Sequence, residues 1–216
     1  MSNCLKRLIK FDNKIAAETS RFPSSLVDPV NRIKDVLNEI DFVEKRAEEM
    51  KTILKLGKAG RIPVRVTHND TKFNNILFDE NNKAVCIVDL DTVMPGYVLY
   101  DFGDAIRTGA NMAAEDEKDL SKVKIDLKLF EAYTKGYLSI ASGFLNRTEI
   151  EFLAFSAKFM TYIIGLRFLT DHIDGDHYYR IHFENHNLQR ARAQFKLLES
   201  MEANFAVMKE IVSRNG

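Results

Sequence analysis

The stretch VRVTHNDTKFNNILFDENNKAVCIVDLDTV, residues 64–93, constrains this chain more than any other. Val64, Arg65, Val66 and Thr67 tolerate extended backbone, and Pro63 ahead of them suits the first position of a strand. His68, Asn69 and Asp70 break that run, and Asn74 and Asn75 open the short apolar segment Ile76, Leu77, Phe78. The tetrad Asp79, Glu80, Asn81, Asn82 predicts a hairpin turn, because Asn and Asp tolerate left-handed backbone and bond locally. Residues 84–88 predict the second strand, with Asp89 and Asp91 at its end. A hairpin brings its two ends together, so Asp70 and Asn75 are expected beside Asp89.

The spacing His-x-Asp-x-x-x-x-Asn, then a hairpin, then an apolar strand ending in Asp, resembles the catalytic apparatus of the protein-kinase-like phosphotransferases. Transfer of a phosphoryl group needs an acceptor oriented by a carboxylate and hard oxygen ligands for Mg²⁺. Asp70 fits the first role, and Asn75 and Asp89 fit the second. The bland alternative is a polar hairpin loop, which explains neither the full spacing nor the strands on both sides.

Three further segments, HNDTKFNN, IVDLDTVMPG and YDFGDAIRTGANMAAED, resemble the aminoglycoside phosphotransferase and choline kinase superfamily, and within it the N-acetylhexosamine 1-kinase group. The likeness continues through LFEAYTKGYL, GLRFLTDHIDGDHYY and HNLQRARAQFKLLESME, from about residue 30 onward. It implies ATP and Mg²⁺ as cofactors, with a small-molecule sugar or amino-alcohol as acceptor. It also implies that Asp70 is catalytic, that Asn75, Asp89 and Asp91 serve the metal, and that His68, Lys72 and Asp101 support the catalytic loop. Such kinases have two lobes, yet no glycine-rich loop followed by a strand lysine precedes this hairpin. The expected fold is therefore mainly α with a small catalytic β-hairpin, a C-terminal lobe whose N-terminal lobe is absent. Its 216 residues form one unit: leading helices over 1–60, catalytic loop and hairpin over 61–93, and a helical acceptor-binding subdomain over 94–216.

Lys+Arg and Asp+Glu each number 31, so a net charge of +0 supplies no field to draw nucleic acid or an anionic membrane. Cys4 and Cys86 lie far apart and make no metal-type pair, which predicts a reduced, cytoplasmic protein. No apolar run reads as long enough to span a membrane, and the start lacks the apolar core of a signal peptide.

Leu5, Leu8, Ile9 and Ile15 predict an amphipathic helix over 3–19. A break at residues 22–25 follows, and a helix starting at Asp28 or Pro29 carries Val30, Ile33, Val36, Leu37, Ile40 and Val43 on to about Leu56. Gly57 to Gly60 end it. Met94, Pro95 and Gly96 read as a turn, and residues 105–120 as a loop. Beyond them, helices are marked by Leu127, Phe130, Tyr133 and Tyr137, then by a capping box of Thr148 with Glu151. Phe155, Phe159, Tyr162, Ile163 and Leu166 follow on one face. A last helix is expected over 186–212.

Asp101-Phe102-Gly103 imitates the metal-binding triplet of protein kinases, but the resemblance gives the metal carboxylate to Asp89. Asp101 matches instead an aspartate that begins a helix and braces the catalytic loop; an N-cap role is the alternative. Asp104 and Arg107, one turn apart, suit an ion pair. Asp89-Leu90-Asp91 also has the Asp-x-Asp pattern of glycosyltransferases, and in an extended strand both carboxylates would face one side. That reading lacks the nucleotide-binding βαβ pattern it needs, and a capping role for Asp91 stays open.

His172, His177, His182 and His186 invite a zinc hypothesis, but Gly175 and Tyr178-Tyr179 suggest a bend instead of one rigid ligand-bearing helix. The region reads better as an acceptor pocket. Arg167, Asp171, Tyr178 and Tyr179 resemble the family's sugar-facing segment, since aromatic faces stack on sugar rings while charged groups bond hydroxyls. Two classes of function then compete. One is an ATP- and Mg²⁺-dependent kinase of an N-acetylhexosamine anomeric hydroxyl, or of an aminoglycoside, choline or another small alcohol. The other is a non-catalytic lobe that binds an N-lobe partner; its open apolar face is expected to be buried by self-association, by the helix around Leu5, Leu8 and Ile9, or by such a partner.

Overall fold

Apolar residues three and four apart close most of the chain into packed helices, in a computed structural model that describes residues 30–216. The helix expected over 3–19, and the start at Asp28 or Pro29, lie outside the described residues. The helix expected as far as Leu56 is not continuous. A 3-10 turn at Ile33–Asp35 leads into α1 (Leu37–Glu44), and a second at Glu49–Lys51 leads into α2 (Thr52–Lys58). Between them Arg46 turns to Glu202, with bonds of 2.9 and 2.8 Å, and its guanidinium covers the Phe42 ring at 3.6 Å. Val36, Val43, Met50 and Ile53 stay buried through the break, so the apolar stripe survives although the helix does not.

Among the described residues the strands form two separate two-stranded ribbons. β2 (Ile76–Phe78) and β3 (Ala84–Ile87) form the expected hairpin, with a register shift at Leu77/Phe78. Its turn is held by Asp79 Oδ1, which accepts from the Asn81 and Lys83 amides, with Asn82 at φ 58°. The other ribbon corrects the sequence reading. β1 (Arg65–Thr67) pairs antiparallel with β4 (Met94–Gly96), the segment expected to be a turn. Pro95 is tolerated opposite Val66 because a two-stranded ribbon leaves one edge of each strand without ladder bonds.

Helix α3 spans Val98–Gly109 and so runs on into the expected loop, because Ala105, Ile106 and Arg107 are buried. Arg107 Nε meets Asp104 Oδ1 at 2.8 Å, and its Nη1 meets Glu115 at 2.7 Å. α4 (Leu127–Ala141) starts at Asp126, whose carboxylate accepts from the Lys128 and Leu129 amides. The capping box of α5 (Arg147–Glu151) is Asn146 with Glu149, two residues ahead of the expected pair. Glu149 closes the box from a fully buried position and takes Arg65 as its counter-ion.

α6 (Leu153–Asp174) is the central helix, packed against α3 and against α7 (His186–Ala203). By length and composition α6 is apolar enough to cross a membrane, at a mean hydropathy of 1.2, which the sequence reading denied. The structure accounts for that composition, since 78% of the window is buried against other helices. The last helix divides at Asn204, whose amide donates back to the Ser200 carbonyl at 2.8 Å, and α8 (Phe205–Asn215) begins anew.

Candidate active site

The residues between β1 and β2 form a loop bent by a left-handed Asn69, φ 62°, and closed by a 3-10 turn at Phe73–Asn75. Asp101 sits in the first turn of α3, whose N-cap position is Tyr97, so Asp101 does not cap the helix. Its two carboxylate oxygens accept from the loop instead, from the His68 and Asn69 amides at 2.7 Å each. Thr71 Oγ1 adds a bond to the Asp101 carbonyl at 2.7 Å. Burial pushes the Asp101 carboxyl above its ordinary range, and these two amide bonds offset that only in part.

Asp70 follows directly. Its Oδ2 accepts from Asn75 Nδ2 at 2.9 Å and from Lys72 Nζ at 2.9 Å. The same Asn75 amide donates to the Asp70 carbonyl at 2.8 Å. Partial burial raises the Asp70 carboxyl, but the Lys72 and Asn75 bonds and the Lys72 charge outweigh it and hold the group below its ordinary value. Oδ1 takes no bond among the described residues, so one carboxylate oxygen is anchored and the other remains available to accept a proton.

His68 Nε2 donates to the Val88 carbonyl at 3.2 Å, because a carbonyl can only accept. Its Nδ1 is buried without a hydrogen-bond partner among the described residues. The Val88 amide in turn donates to the Asn75 carbonyl at 2.9 Å. The end of the hairpin strand is thereby fastened beside the catalytic loop, which brings Asp89 to the side of Asp70, Lys72 and Asn75. Lys72 feels the charge of Asp89 as well as that of Asp70.

Asp89 and Asp91 correct one premise. They do not alternate along a strand, since β3 ends at Ile87, Asp89 is left-handed at φ 60° and ψ 56°, and Asp91 lies in the 3-10 turn Leu90–Thr92. Both are exposed. Among the described residues no three His, Cys, Asp or Glu side chains gather as a metal site. The donors Asn75 Oδ1, Asp89 and Asp91 are hard oxygens, and their chemistry suits Mg²⁺. They are too few to satisfy it alone, and phosphate oxygens would have to complete the set.

A cavity of about 530 Å³ adjoins this loop, bounded by Asp70, Lys72 and Asn75 on one side and by Phe102, Tyr133, Tyr137 and Phe144 on the other. Tyr133 and Tyr137 stack at 6.2 Å, and Phe102 meets Tyr137 edge-on at 5.1 Å. Burial pushes the Tyr133 hydroxyl up to about 12 and the Tyr137 hydroxyl higher still, so both stay neutral. Arg65, also at the cavity, is spent on Glu149 at 2.8 and 2.9 Å. Sequence reasoning named none of Arg65, Phe102, Tyr133, Tyr137 and Phe144 as functional. Tyr133 and Tyr137 carried only the i,i+4 spacing of a packed helix face.

Arg167, Asp171, Tyr178 and Tyr179 come together, but they are not among the residues lining that cavity. Asp171 is buried and accepts from the Tyr178 and Tyr179 amides and from Asn187 Nδ2. Arg167 lies 5.5 Å from both tyrosine ring centres and 3.3 Å from the Tyr178 hydroxyl. The histidines are separately engaged. His172 Nδ1 lies 3.4 Å from Arg32, while His186 meets Asp116 at 3.0 Å and accepts from the His182 amide.

A family model for the phosphotransferase enzyme family matches residues 12–137, more than half of the chain and all of the catalytic loop and hairpin. The chain belongs to this family, whose members act on small molecules. The match stops within α4, before Arg167 and the segment around it.

Proposed function

We propose that this chain carries the catalytic half of an ATP- and Mg²⁺-dependent kinase for a small-molecule hydroxyl, with the anomeric hydroxyl of an N-acetylhexosamine as acceptor. The observation that supports this reading best is the state of Asp70. One oxygen is anchored by Asn75 and Lys72, the other is open, and the carboxyl is held ionised. Such a group orients an acceptor hydroxyl and takes its proton as the new P–O bond forms and the bridging bond of the γ-phosphate breaks, with ADP leaving. Asn75 Oδ1, Asp89 and Asp91 would hold Mg²⁺, which when bound with ATP neutralises phosphate charge. Lys72, beside both Asp70 and Asp89, tunes Asp70 and would bond a phosphate oxygen of bound nucleotide. Arg167, Tyr178 and Tyr179 form a second polar and aromatic surface on which a sugar ring can stack, while the buried Asp171 holds the Tyr178 and Tyr179 amides in place.

Phosphorus NMR of the chain with ATP, Mg²⁺ and a panel of acceptors tests this. N-acetylhexosamines should give a sugar 1-phosphate resonance, while choline and an aminoglycoside give none. ATP left intact with every acceptor would count against the reading.

A second reading, a non-catalytic lobe that binds a partner, draws on the hairpin surface. Leu77, Val85 and Ile87 are 49%, 60% and 58% exposed. By register Leu77 and Ile87 lie on opposite faces of the hairpin, so both faces carry exposed apolar side chains; cover for them would come from an N-lobe-type partner or a second copy of the chain. Light scattering over a concentration series separates the two, since only self-association makes the mass rise with concentration.

A further inference from the structure

The hairpin ladder alone does not set where Asp89 stands relative to Asp70. Its last bond is the Val88 amide on the Asn75 carbonyl, and beyond it the chain leaves the strand for the turn Leu90–Thr92. Two side chains tie that turn back to the catalytic loop. Thr92 Oγ1 donates to the His68 carbonyl at 2.6 Å, and Asn69 Nδ2 donates to the Thr92 carbonyl at 3.1 Å. The bonds join the same two segments from opposite directions and so close a ring around the root of the turn.

The surroundings hold the ring in shape. Asn69 occupies left-handed backbone, which asparagine accepts more readily than most residues. Its amide is fixed by Asp101, and its Oδ1 lies 3.1 Å from the Thr67 hydroxyl, which also reaches the Met94 carbonyl at 2.9 Å. Gly96 closes over this group. A Cβ there would stand 2.5 Å from Thr67 Oγ1 and 3.5 Å from Asn69 Oδ1.

We infer that Asn69 and Thr92 are positioning residues, a latch that sets the turn bearing Asp89 and Asp91 against the loop bearing Asp70. The assignment rests on the phosphotransfer reading above. Neither side chain meets the reacting atoms; both act through the carboxylates they hold. A metal–nucleotide needs oxygens from both segments at once, so slack between the segments weakens it, whereas the packing of the helices does not depend on the ring.

Three substitutions separate the parts. Thr92→Val removes the hydroxyl and keeps the shape. Asn69→Gly removes the amide and keeps the positive φ at no steric cost, and Thr92→Ser restores the donor. The test uses the full chain, with Mn²⁺–ATP titration by calorimetry and amide hydrogen exchange by mass spectrometry. Thr92→Val should weaken Mn²⁺–ATP about tenfold, the loss of one well-made hydrogen bond, and Asn69→Gly at least as much, since it also frees the Thr67 hydroxyl. Each should speed exchange across residues 89–92 and leave α6 protected. The double variant should be little weaker than either single one, because one cut already opens the ring. Thr92→Ser should bind as the parent does. Unchanged binding and exchange in Thr92→Val would overturn the inference, and so would exchange that rises equally throughout α6, which assigns the pair to the fold. Asp89→Asn is the control. If the parent chain takes up no Mn²⁺–ATP, or if neither this control nor Asp91→Asn weakens its binding, the phosphotransfer reading fails and this inference with it. If the control loses binding while Thr92→Val does not, only the latch fails.

Discussion

The Asn75 side-chain amide bonds both the carbonyl and the carboxylate of Asp70, at 2.8 and 2.9 Å, so one residue fixes the backbone and the side chain of the other. Its own oxygen takes no hydrogen bond among the described residues. Asp70→Asn should therefore lower phosphoryl transfer by roughly a hundredfold or more, through loss of proton acceptance. Acceptor affinity should stay near the parent value. Steady-state kinetics with product quantified by phosphorus NMR would check it, and near-normal turnover would remove Asp70 from the mechanism.

The pH dependence follows from Lys72. The folded-state value of Asp70 is depressed, so its stabilising pairing is present above the unfolded carboxyl value and is lost as pH falls through the folded one. Lys72→Met takes away the cation and one hydrogen bond, which lets burial raise the carboxyl. The acid limb of the pH–rate profile should move to higher pH. A limb that stays in place would mean that Asp70 is not the group being titrated.

For the metal, Asp89→Ala should abolish Mn²⁺–ATP binding, and Asp91→Ala should weaken it less, because Asp89 directly follows the Val88 that is bonded to His68 and Asn75. Without nucleotide, Mn²⁺ should bind poorly to the parent chain, with so few protein oxygens available. Isothermal titration of each variant decides between the carboxylates. The reverse order would show that Asp91 is the main ligand.

Stability depends on Arg65 and Glu149. Glu149 is fully buried, and Arg65 meets both its oxygens. Arg65→Met leaves a buried charge with only its capping bond to the Asn146 amide, and should cost about 3 kcal/mol. Urea unfolding reads this as a lower midpoint at unchanged slope. Arg65→Met with Glu149→Gln should recover part of the loss, and a midpoint unaffected by the single change would show that the pair contributes nothing.

The hairpin and the loop before it were legible in the sequence because their causes are local. Asp79 and Asn82 make the turn from within four residues, and the spacing of His68, Asp70 and Asn75 lies in one continuous stretch. What stayed hidden depends on distant partners. Nothing near Met94 announces that it pairs with Thr67, twenty-seven positions earlier, and a proline in the middle argues against a strand. The Asp89–Leu90–Asp91 pattern suggested one extended face, but a left-handed Asp89 ends the strand first. Tyr133 and Tyr137 have the same spacing whether they fill a core or wall a cavity, and only the position of α4 beside the loop tells which. The break at Arg46 is likewise set by Glu202, on a helix 156 residues away.

Gly103 sits where α3 crosses α6, with no room for a Cβ against the Ser156 carbonyl. Two residues before it on the same helix is Asp101, which holds the catalytic loop by both carboxylate oxygens. The depth at which α3 seats in the core and the height at which Asp70 stands are therefore one variable. A single methyl group added at 103 would lift the helix and carry Asp101 with it, so this glycine acts as the shim that levels the site.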